Sequence, residues 1–512
     1  MKTLKQKLIL LALLLFLQFT SFSQSHGSWV VPSYSPINNG KVYQLDFTAS
    51  GIISPPSELL TTSQSDLVVS GGAYDESYNT DFFAVKKSLF CNGVETELYS
   101  GTYSVLPSLA IVNKPNMPND YVAVYIRDGI NNDFGIFYSD ISFLEQNNTI
   151  TVNSATVLPA HSGGWYARPA YTLSPELGNG ERYLYLSSVE EETSQRKASL
   201  RRWKLTSSGF QDETILLEES SSHPLNDERY FEAYDLEVIS QNGVEVIAWT
   251  HSLVDTYNNW NHTDEVVVVI DEVPYNFDLD YGRIGGIEFS HLEDDILYVS
   301  CTSKGIVKLN YVTGQVSNVY APATPDYSRT SLQTAPDGHI YAVSNDGKKL
   351  GRILQHGNGA GSFETAVFEF PVFGAVSTYQ TFENFRYFIL PENERKFSPL
   401  NLQVTTEPES CPDTYDGRAE IHVSGGVPFD DEEAPYLITS NPTANWYWDV
   451  DDFYFYAHGL TAGNYEYTVA DAATPNPNSV SENFVIELDN SHFSFPNNYF
   501  EVTEDKSLPN AE

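Results

Sequence analysis

The sequence has little cysteine, little methionine and little positive charge. Its 512 residues include three cysteines and two methionines, and 28 Lys and Arg stand against 68 Asp and Glu, for a formal charge of −40. Such a surface repels phosphate backbones, which excludes nucleic-acid binding. The cysteines, Cys91, Cys301 and Cys411, lie far apart and match no metal-binding spacing, and the sequence does not select a disulfide pair among them.

Long apolar runs are missing after the first residues of the chain. Three lysines precede an apolar run from Leu8 to Leu17, and small and polar residues follow it up to Gln24. A basic start, an apolar stretch and a small polar exit are typical of a secretory signal peptide. The sequence therefore predicts a signal peptide over residues 1–24 and no transmembrane segment. It also predicts a location outside the cell or on its outer surface, with the periplasm as the alternative.

Tyrosine, phenylalanine and proline are abundant, with 33, 29 and 27 residues. This composition favours strands and turns over helices. No segment shows the 3.6-residue period of a long amphipathic helix. The predicted fold class is all-β.

One strand pattern, typified by Leu-Tyr-Val-Ser, recurs along the chain. Its seven copies are centred on Val68, Ala123, Tyr185, Ile247, Tyr298, Tyr341 and Tyr387. Repeats of this kind, spaced here by about 43 to 62 residues, are typical of a β-propeller. The sequence predicts a propeller over residues 27–390, with seven blades favoured over six or eight.

Three local features refine this prediction. Asp294-Asp295 and Asp337-Gly338 precede two of the copies and predict tight hairpin turns, which need positive φ. The run from Val266 to Ile270 is apolar at every position, which predicts a strand buried on both faces. The segment from Gly27 to Thr48 precedes the first copy and is predicted to add a strand to the last blade, closing the ring.

A second region follows a polar, proline-bracketed run that predicts a linker over residues 391–402. Ala419, Ile421 and Val423 alternate with polar residues, as in a half-buried strand. Short strands and turns over residues 403–488 predict a small immunoglobulin-like β-sandwich, and residues 489–512 form a C-terminal tail.

Several short motifs of this second region resemble the SprB repeat, a module of large surface proteins in gliding bacteria with type IX secretion. They are Cys411, Asp416-Gly417-Arg418-Ala419, Val423-Ser424-Gly425-Gly426, Pro435-Tyr436, the tryptophans at 446–448 and the stretch from Gly459 to Tyr465. The segment from Leu332 to Tyr341 is similar to repeats in the N-terminal regions of other type IX-exported proteins. The resemblance implies an exported protein of the bacterial cell surface.

Catalytic and metal-binding motifs are missing from the sequence, with no His-Glu-x-x-His, no Gly-x-Ser-x-Gly and no phosphate loop. An aromatic-rich stretch is the candidate binding site, and Trp446, Trp448, Tyr454 and Tyr456 are predicted to stack on sugar rings or a protein partner. Asp449 and Asp451 lie two apart and are candidate Ca²⁺ ligands. The alternative for them is a solvated turn between two strands, and no other cofactor is predicted.

These observations predict a non-enzymatic binding or adhesion protein whose partner is a surface glycan or a protein. Two alternatives stay open. One is a propeller enzyme that acts on extracellular polysaccharide or a lactone with residues around the channel, and the other is a structural spacer in a surface assembly. Acidic and histidine side chains that converge around the channel would favour the enzyme.

Overall fold

The computed structural model describes most of the chain between residues 27 and 489. The described ranges are 27–33, 40–48, 51–52, 57–62, 69–74, 80–85, 88–98, 105–115, 117–128, 134–153, 155–158, 170–174, 182–191, 196–220, 229–241, 244–255, 262–279, 284–290, 293, 295–321, 326–328, 330–335, 337–345, 349–354, 362–369, 400–412, 414–424, 436–449, 454–471 and 479–489. The predicted signal peptide, the sequence repeat centred on Tyr387, most of the linker and the tail after residue 489 lie outside them.

The described residues before position 370 form seven small antiparallel sheets from consecutive strands. Sheet 1 contains β1 (Gly27–Ser33), β2 (Gly40–Thr48), β3 (Gly51–Ile52) and β4 (Ser57–Thr62). Sheet 2 contains β5 (Val69–Tyr74), β6 (Thr80–Val85), β7 (Ser88–Cys91) and β8 (Val94–Glu97). Sheet 3 contains β9 (Val105–Lys114), β10 (Met117–Asp128), β11 (Phe134–Leu144), β12 (Thr149–Val152) and β13 (Thr156–Val157), with a 3₁₀ helix at Glu145–Asn147.

Four further sheets continue the series. Sheet 4 contains β14 (Ala170–Leu173), β15 (Arg182–Glu191), β16 (Arg196–Thr206) and β17 (Gly209–Ser220). Sheet 5 contains β18 (Arg229–Gln241), β19 (Val244–Asp255), β20 (His262–Ile270) and β21 (Val273–Asp278). Sheet 6 contains β22 (Ile284–Phe289), β23 (Ile296–Cys301), β24 (Gly305–Asn310) and β25 (Gln315–Tyr320). Sheet 7 contains β26 (Leu332–Thr334), β27 (Ile340–Val343), β28 (Lys349–Leu354) and β29 (Ser362–Glu369).

Neighbouring sheets pack face to face, each pair through its own hydrophobic cluster. The clusters join sheets 1 and 2 (Val30, Phe83), 2 and 3 (Phe82, Ile111), 3 and 4 (Val122, Leu186), 4 and 5 (Leu200, Trp249), 5 and 6 (Val268, Leu297), 6 and 7 (Tyr298, Ile340), and 7 and 1 (Tyr341, Trp29). The first strands of successive sheets also contact one another, as β14 does β18 and β18 does β22. This arrangement is a β-propeller-like all-β fold.

The apolar run in β20 is buried on both faces, as its sequence predicts. Val266 and Val268 pack in the cluster with sheet 6, whereas Val267 and Val269 pack in the cluster with sheet 4. Successive side chains of a strand point to opposite faces, so an apolar residue is required at every position.

The last sequence repeat, centred on Tyr387, lies outside the described residues, so the addition of a strand from residues 27–48 to the last blade stays a prediction. β1 and β2 pair with each other along seven residue pairs, so they satisfy each other's backbone groups in a sheet of their own. That sheet packs between sheets 7 and 2. The repeat centred on Val68 also differs from the others in its position within the sheet. Val69 begins the first strand of its sheet, whereas the repeats centred on Ala123 to Tyr341 are second strands.

The second region consists of two sheets around one core. Sheet 8 contains β30 (Asn401–Glu407), β31 (Gly417–Ser424), β33 (Trp446–Asp449) and β34 (Tyr454–Leu460), and sheet 9 contains β32 (Leu437–Asn441), β35 (Gly463–Ala470) and β36 (Ser479–Ile486). Ile421 of sheet 8 and Val469 of sheet 9 pack in the same cluster. Leu400 and Leu402, which the sequence assigned to the linker, also pack in this core.

Motif residues of the second region hold its loops and sheets together. A Cβ on Gly417 would lie 2.7 Å from Ile486 of sheet 9 and 2.7 Å from the carbonyl oxygen of Leu460, so only glycine fits there. Hydrogen bonds from Ser410 and Thr414 lower the pKa of Asp416 to about 2. These residues therefore order the loop that carries Cys411.

Val267→Ala and Val268→Ala are both expected to lower the free energy of unfolding by about 2 kcal/mol, because each removes methyl groups from a different intersheet cluster. Urea unfolding of the full chain measures the change. Val273→Ala, at a half-exposed valine of β21, is the matched control and should change stability by less than about 0.5 kcal/mol. A large effect at only one of the two buried valines would contradict burial on both faces.

Cys411 is expected to react with iodoacetamide in the folded protein, while Cys91 and Cys301 should react only after unfolding. Cys91 and Cys301 are buried in separate clusters, whereas Cys411 is part-exposed. Burial also raises the pKa of Cys91, which lowers its thiolate fraction. Mass spectrometry of labelled peptides, with and without urea, measures this order, and native labelling of Cys301 would contradict it.

Candidate functional site

Acidic side chains lie on the first strands of two neighbouring sheets. Leu236 and Val238 of β18 pack towards sheet 4, so the intervening Glu237 and the preceding Asp235 face sheet 6. The carboxylate of Asp235 confirms this direction, because its Oδ2 accepts a hydrogen bond from the backbone N–H of Ile287 in β22 at 2.8 Å. Asp235 is part-exposed, whereas Glu237 is buried.

Glu288 repeats this arrangement one sheet further on. Its neighbours Ile287 and Phe289 pack towards sheet 5, so its side chain points towards sheet 7. There its Oε2 accepts a hydrogen bond from the backbone N–H of Thr334 in β26 at 3.1 Å. Both amides belong to first strands, which have a sheet partner on one side only. The acids therefore satisfy backbone amides at the contact between first strands.

The acids of β18 are suited to acid–base chemistry as well as to a structural role. Asp235 and Glu237 are two residues apart on one face of a strand, which separates their Cα atoms by roughly 6.5 Å. Glycoside hydrolysis uses two neighbouring carboxylates, one as acid and one as base or nucleophile. Within the described residues no cluster of three His, Cys, Asp or Glu side chains could hold a metal ion.

A further buried acid, Asp337, lies in the hairpin between β26 and β27. Gly338 has φ 81° and donates its N–H to the carbonyl oxygen of Ala335 at 2.9 Å, which confirms the predicted tight turn. At the corresponding turn of sheet 6, Asp295 has φ 62°. The fully buried carboxylate of Asp337 accepts hydrogen bonds from the backbone N–H of His339 and from the hydroxyl of Tyr341, the latter at 2.7 Å.

The environment of Asp337 favours its protonated form up to a higher pH than is usual for an aspartate. Burial raises its pKa to about 7, against the opposing effects of the Tyr341 hydroxyl and the Arg352 guanidinium. Arg352 in turn donates to Glu364, with Nη2 and Oε2 2.6 Å apart. The network therefore runs from a buried acid to a part-exposed one across three strands of sheet 7.

The structure separates the four predicted aromatic binding residues into two pairs. Trp446 and Trp448 of β33 face the core of the second region, where the indole N–H of Trp446 donates to Ser440 Oγ at 3.0 Å and Trp448 packs on Phe455. Tyr454 and Tyr456 of β34 alternate with the buried Phe455 and Ala457, so they point out of the opposite face. Only the two tyrosines therefore lie on an outer surface.

Other side chains that the sequence analysis did not select join Tyr454 and Tyr456 on this outer face. Tyr447, which is 53% exposed, stacks on Tyr456 with ring centroids 5.6 Å apart. His422 lies 5.1 Å from Tyr454, and His458 lies 4.9 Å from Tyr456. Glu420 is paired with Tyr456 across the strands. Together His422, Tyr447, Tyr454, Tyr456, His458 and Glu420 form what we call the aromatic face.

The structure does not describe the side chains of the two predicted Ca²⁺ ligands. Asp449 is the last residue of β33, paired with Tyr454, and its side chain is not described. Asp451 lies outside the described residues. Ca²⁺ binding by this pair stays a prediction.

Comparison with known proteins gives only distant structural similarities. No family model and no curated protein matches the chain. Similar solved structures include a fungal alcohol oxidase of the AA5 family in complex with copper (TM-score 0.33, 11% identity, covering 90% of this chain and 96% of that one). They also include the GH93 α-L-arabinofuranosidase of Fusarium graminearum with arabinobiose (TM-score 0.35, 9% identity, 68% and 93%) and an α-L-arabinanase of Penicillium chrysogenum with arabinobiose (TM-score 0.35, 11% identity, 69% and 92%). At these values the similarity identifies no activity, substrate or cofactor for this chain.

The prediction of a non-enzymatic binding or adhesion protein is wrong by this comparison. The similar structures named above are those of enzymes, and two of them are glycosidases. The sequence analysis relied on missing catalytic motifs, and the spacing of Asp235 and Glu237 within β18 matches none of them.

The contribution of Asp337 to stability is expected to fall as the pH rises from about 4 to about 7. Its folded-state pKa of about 7 lies above the ordinary value of 3.8, so within this window the folded protein binds the proton more tightly than the unfolded chain does. Urea unfolding at a series of pH values should show the parent protein losing stability relative to Asp337→Asn across the window, with a constant difference above it.

Tyr341→Phe provides a second variant for the same measurement. The hydroxyl of Tyr341 donates a hydrogen bond to Asp337, and this bond lowers the pKa of the carboxyl. Because the substitution removes the hydroxyl, the pKa of Asp337 should rise, and the pH window over which stability falls should extend to higher pH. A difference between parent and Asp337→Asn that does not change with pH would contradict the assignment.

Proposed function

We propose that the chain is an exported enzyme that acts on extracellular polysaccharide with the acidic residues of its first strands. The observation that carries this proposal is the pair Asp235 and Glu237, two carboxylates on one face of β18 beside the acid-bearing strand β22. Two carboxylates on one face provide both the proton donor and the base or nucleophile that cleavage of a glycosidic bond needs. Export is supported by the signal-peptide pattern of residues 1–24.

The two acids take different parts in the proposed reaction. The carboxylate of Asp235 is held by two backbone N–H groups, from Leu236 at 3.0 Å and Ile287 at 2.8 Å, and retains contact with solvent. It acts as the base or nucleophile at the sugar carbon. Glu237 acts as the proton donor to the leaving oxygen, and each proton that it gives is restored from the attacking water.

In this proposal the first region is a seven-bladed propeller. Support comes from seven sheets joined in order by seven clusters, the last of which joins Tyr341 of sheet 7 to Trp29 of sheet 1. First strands surround the centre of such a ring, so acids from different blades meet there. The sheet of β1 and β2 is then the blade that completes the ring.

The second region is proposed to be an immunoglobulin-like, SprB-repeat-like module of a type IX-exported protein. Support comes from its two sheets around one core and from the structural positions of the motif residues Gly417 and Asp416. The protein is proposed to reside outside the cell or on its outer surface, with the periplasm as the alternative.

Asp235→Asn and Glu237→Gln are each expected to lower the rate of polysaccharide cleavage by about 100-fold or more, because each removes an acid–base or nucleophilic group. The measurement is release of reducing ends by the full chain from a panel of soluble polysaccharides. The panel includes arabinan, because arabinobiose is bound in two of the similar structures. Circular dichroism and melting temperature confirm that each variant is folded.

Asp212→Asn is the matched control, since Asp212 is an exposed acid of β17 with a positive φ that asparagine tolerates. It should cleave at the parental rate. Cleavage by the parent protein that survives both substitutions would overturn the assignment of Asp235 and Glu237. A parent protein that cleaves no polysaccharide of the panel would overturn the proposed function and favour a structural spacer.

A further inference from the structure

The aromatic face is an array of neighbouring rings on the outer side of sheet 8. Ring contacts run from His422 to Tyr454 at 5.1 Å, from Tyr454 to Tyr456 at 6.1 Å and from Tyr456 to His458 at 4.9 Å. Tyr447 stacks beside Tyr456 from the neighbouring strand, with an interplanar angle of 27°. The array therefore follows one strand and is widened by a second.

Cross-strand pairing fixes these rings in place. Tyr447 and Tyr456 are paired residues of β33 and β34, and His422 and Tyr454 are paired residues of β31 and β34. The opposite sides of the same strands are anchored in the core by Trp448, Phe455 and Ile421. A ligand that stacks on these side chains thus meets rings that are already ordered, which reduces the entropic cost of binding.

The chemistry of the face fits a saccharide better than an apolar protein surface. The outward positions of β30, β31, β33 and β34 that the structure describes carry aromatic, imidazole, hydroxyl, amide and charged groups and no aliphatic side chain: Gln403, Thr405, Glu407, Arg418, Glu420, His422, Tyr447, Tyr454, Tyr456 and His458. A sugar presents C–H groups to an aromatic ring and hydroxyl groups to carboxylates and imidazoles. An apolar protein partner would instead need aliphatic contacts at the centre of the interface.

Charge complementarity narrows the class of saccharide. Glu420 and Glu407 lie on this side of the sheet, and Arg418 is paired with Glu407 at 3.7 Å. The whole chain carries a formal charge of −40, which repels anionic polymers. An uncharged, hydroxyl-rich polysaccharide meets no such repulsion.

We propose that the aromatic face of sheet 8 binds a neutral polysaccharide chain by stacking sugar rings on Tyr447, Tyr454 and Tyr456, separately from the acidic residues of the first strands. At the edges of the face, the carboxylate of Glu420 accepts hydrogen bonds from sugar hydroxyls. The two histidines donate hydrogen bonds to sugar hydroxyls or accept hydrogen bonds from them. The proposal deepens the proposed function by assigning a holding surface for the polymer, and it rests on that function for the class of polymer. In this proposal no residue of the second region takes part in cleavage of the glycosidic bond.

The test is a binding assay with the full chain and insoluble polysaccharides. Microcrystalline cellulose, insoluble xylan and debranched arabinan serve as neutral probes, and calcium polygalacturonate serves as the anionic probe. The parent protein is expected to sediment with at least one neutral probe and not with the anionic one. The double variant Tyr447→Ala/Tyr456→Ala should weaken binding by about 10-fold or more, as expected for the loss of two ring-stacking contacts.

Tyr275→Ala is the matched control, because Tyr275 is a half-exposed tyrosine on β21 of the first region. It should bind as the parent protein does. Tyr447→Phe/Tyr456→Phe keeps the rings and should retain binding, which separates stacking from a loss of folding. Binding that the alanine variant retains, preference for the anionic probe, or binding to none of the neutral probes would each overturn the proposal.

The result can be distinguished from failure of the proposed function. Binding of the neutral probe by the parent protein is measured whether or not the parent cleaves it. Binding without cleavage would leave the aromatic face standing and remove the enzymatic proposal. Association of two chains through the face, detected by light scattering and lost in the alanine variant, would also overturn the saccharide assignment.

Discussion

Burial of each sheet between two neighbours is the constraint on which the rest of the first region depends. A strand that is covered on both faces needs apolar residues at consecutive positions, and β20 and β23 satisfy this requirement. Because the packing surfaces run from sheet to sheet and from the seventh back to the first, every sheet fixes the position of the next. The first strands are thereby brought into contact, although their residues are far apart in the chain.

That contact also explains why acids occur among buried apolar strands. A first strand lacks a sheet partner on one side, and its outward amides need acceptors. Asp235 and Glu288 provide them across the gap between sheets, each to the strand of the following sheet. A carboxylate that supports the backbone is also held in a defined orientation, which is what catalysis requires of a functional group. Structural and chemical roles at this site therefore do not conflict.

The sequence predicted the features that local patterns encode and missed those that depend on contacts between distant strands. The all-β class, the turn at Gly338 and the two-sided burial of Val266 to Val269 follow from composition, turn chemistry and periodicity. The separate sheet of β1 and β2 was missed, because it lacks the repeated Leu-Tyr-Val-Ser pattern. Trp448 and Tyr456 were grouped by residue type, whereas strand alternation puts them on opposite faces. Reading that alternation through β33 and β34 would have found Tyr447.

The hairpin at Asp337 connects the two regions electrostatically. Burial and the charges of Asp471 and Asp337 raise the pKa of Tyr436, a buried tyrosine of the second region. The hydroxyl of Tyr436 therefore remains protonated across the physiological range. A neutral Asp337 removes part of the unfavourable charge from this buried environment. The charge state of a turn that satisfies the backbone of sheet 7 therefore also contributes to the pKa of Tyr436 in the core of the second region.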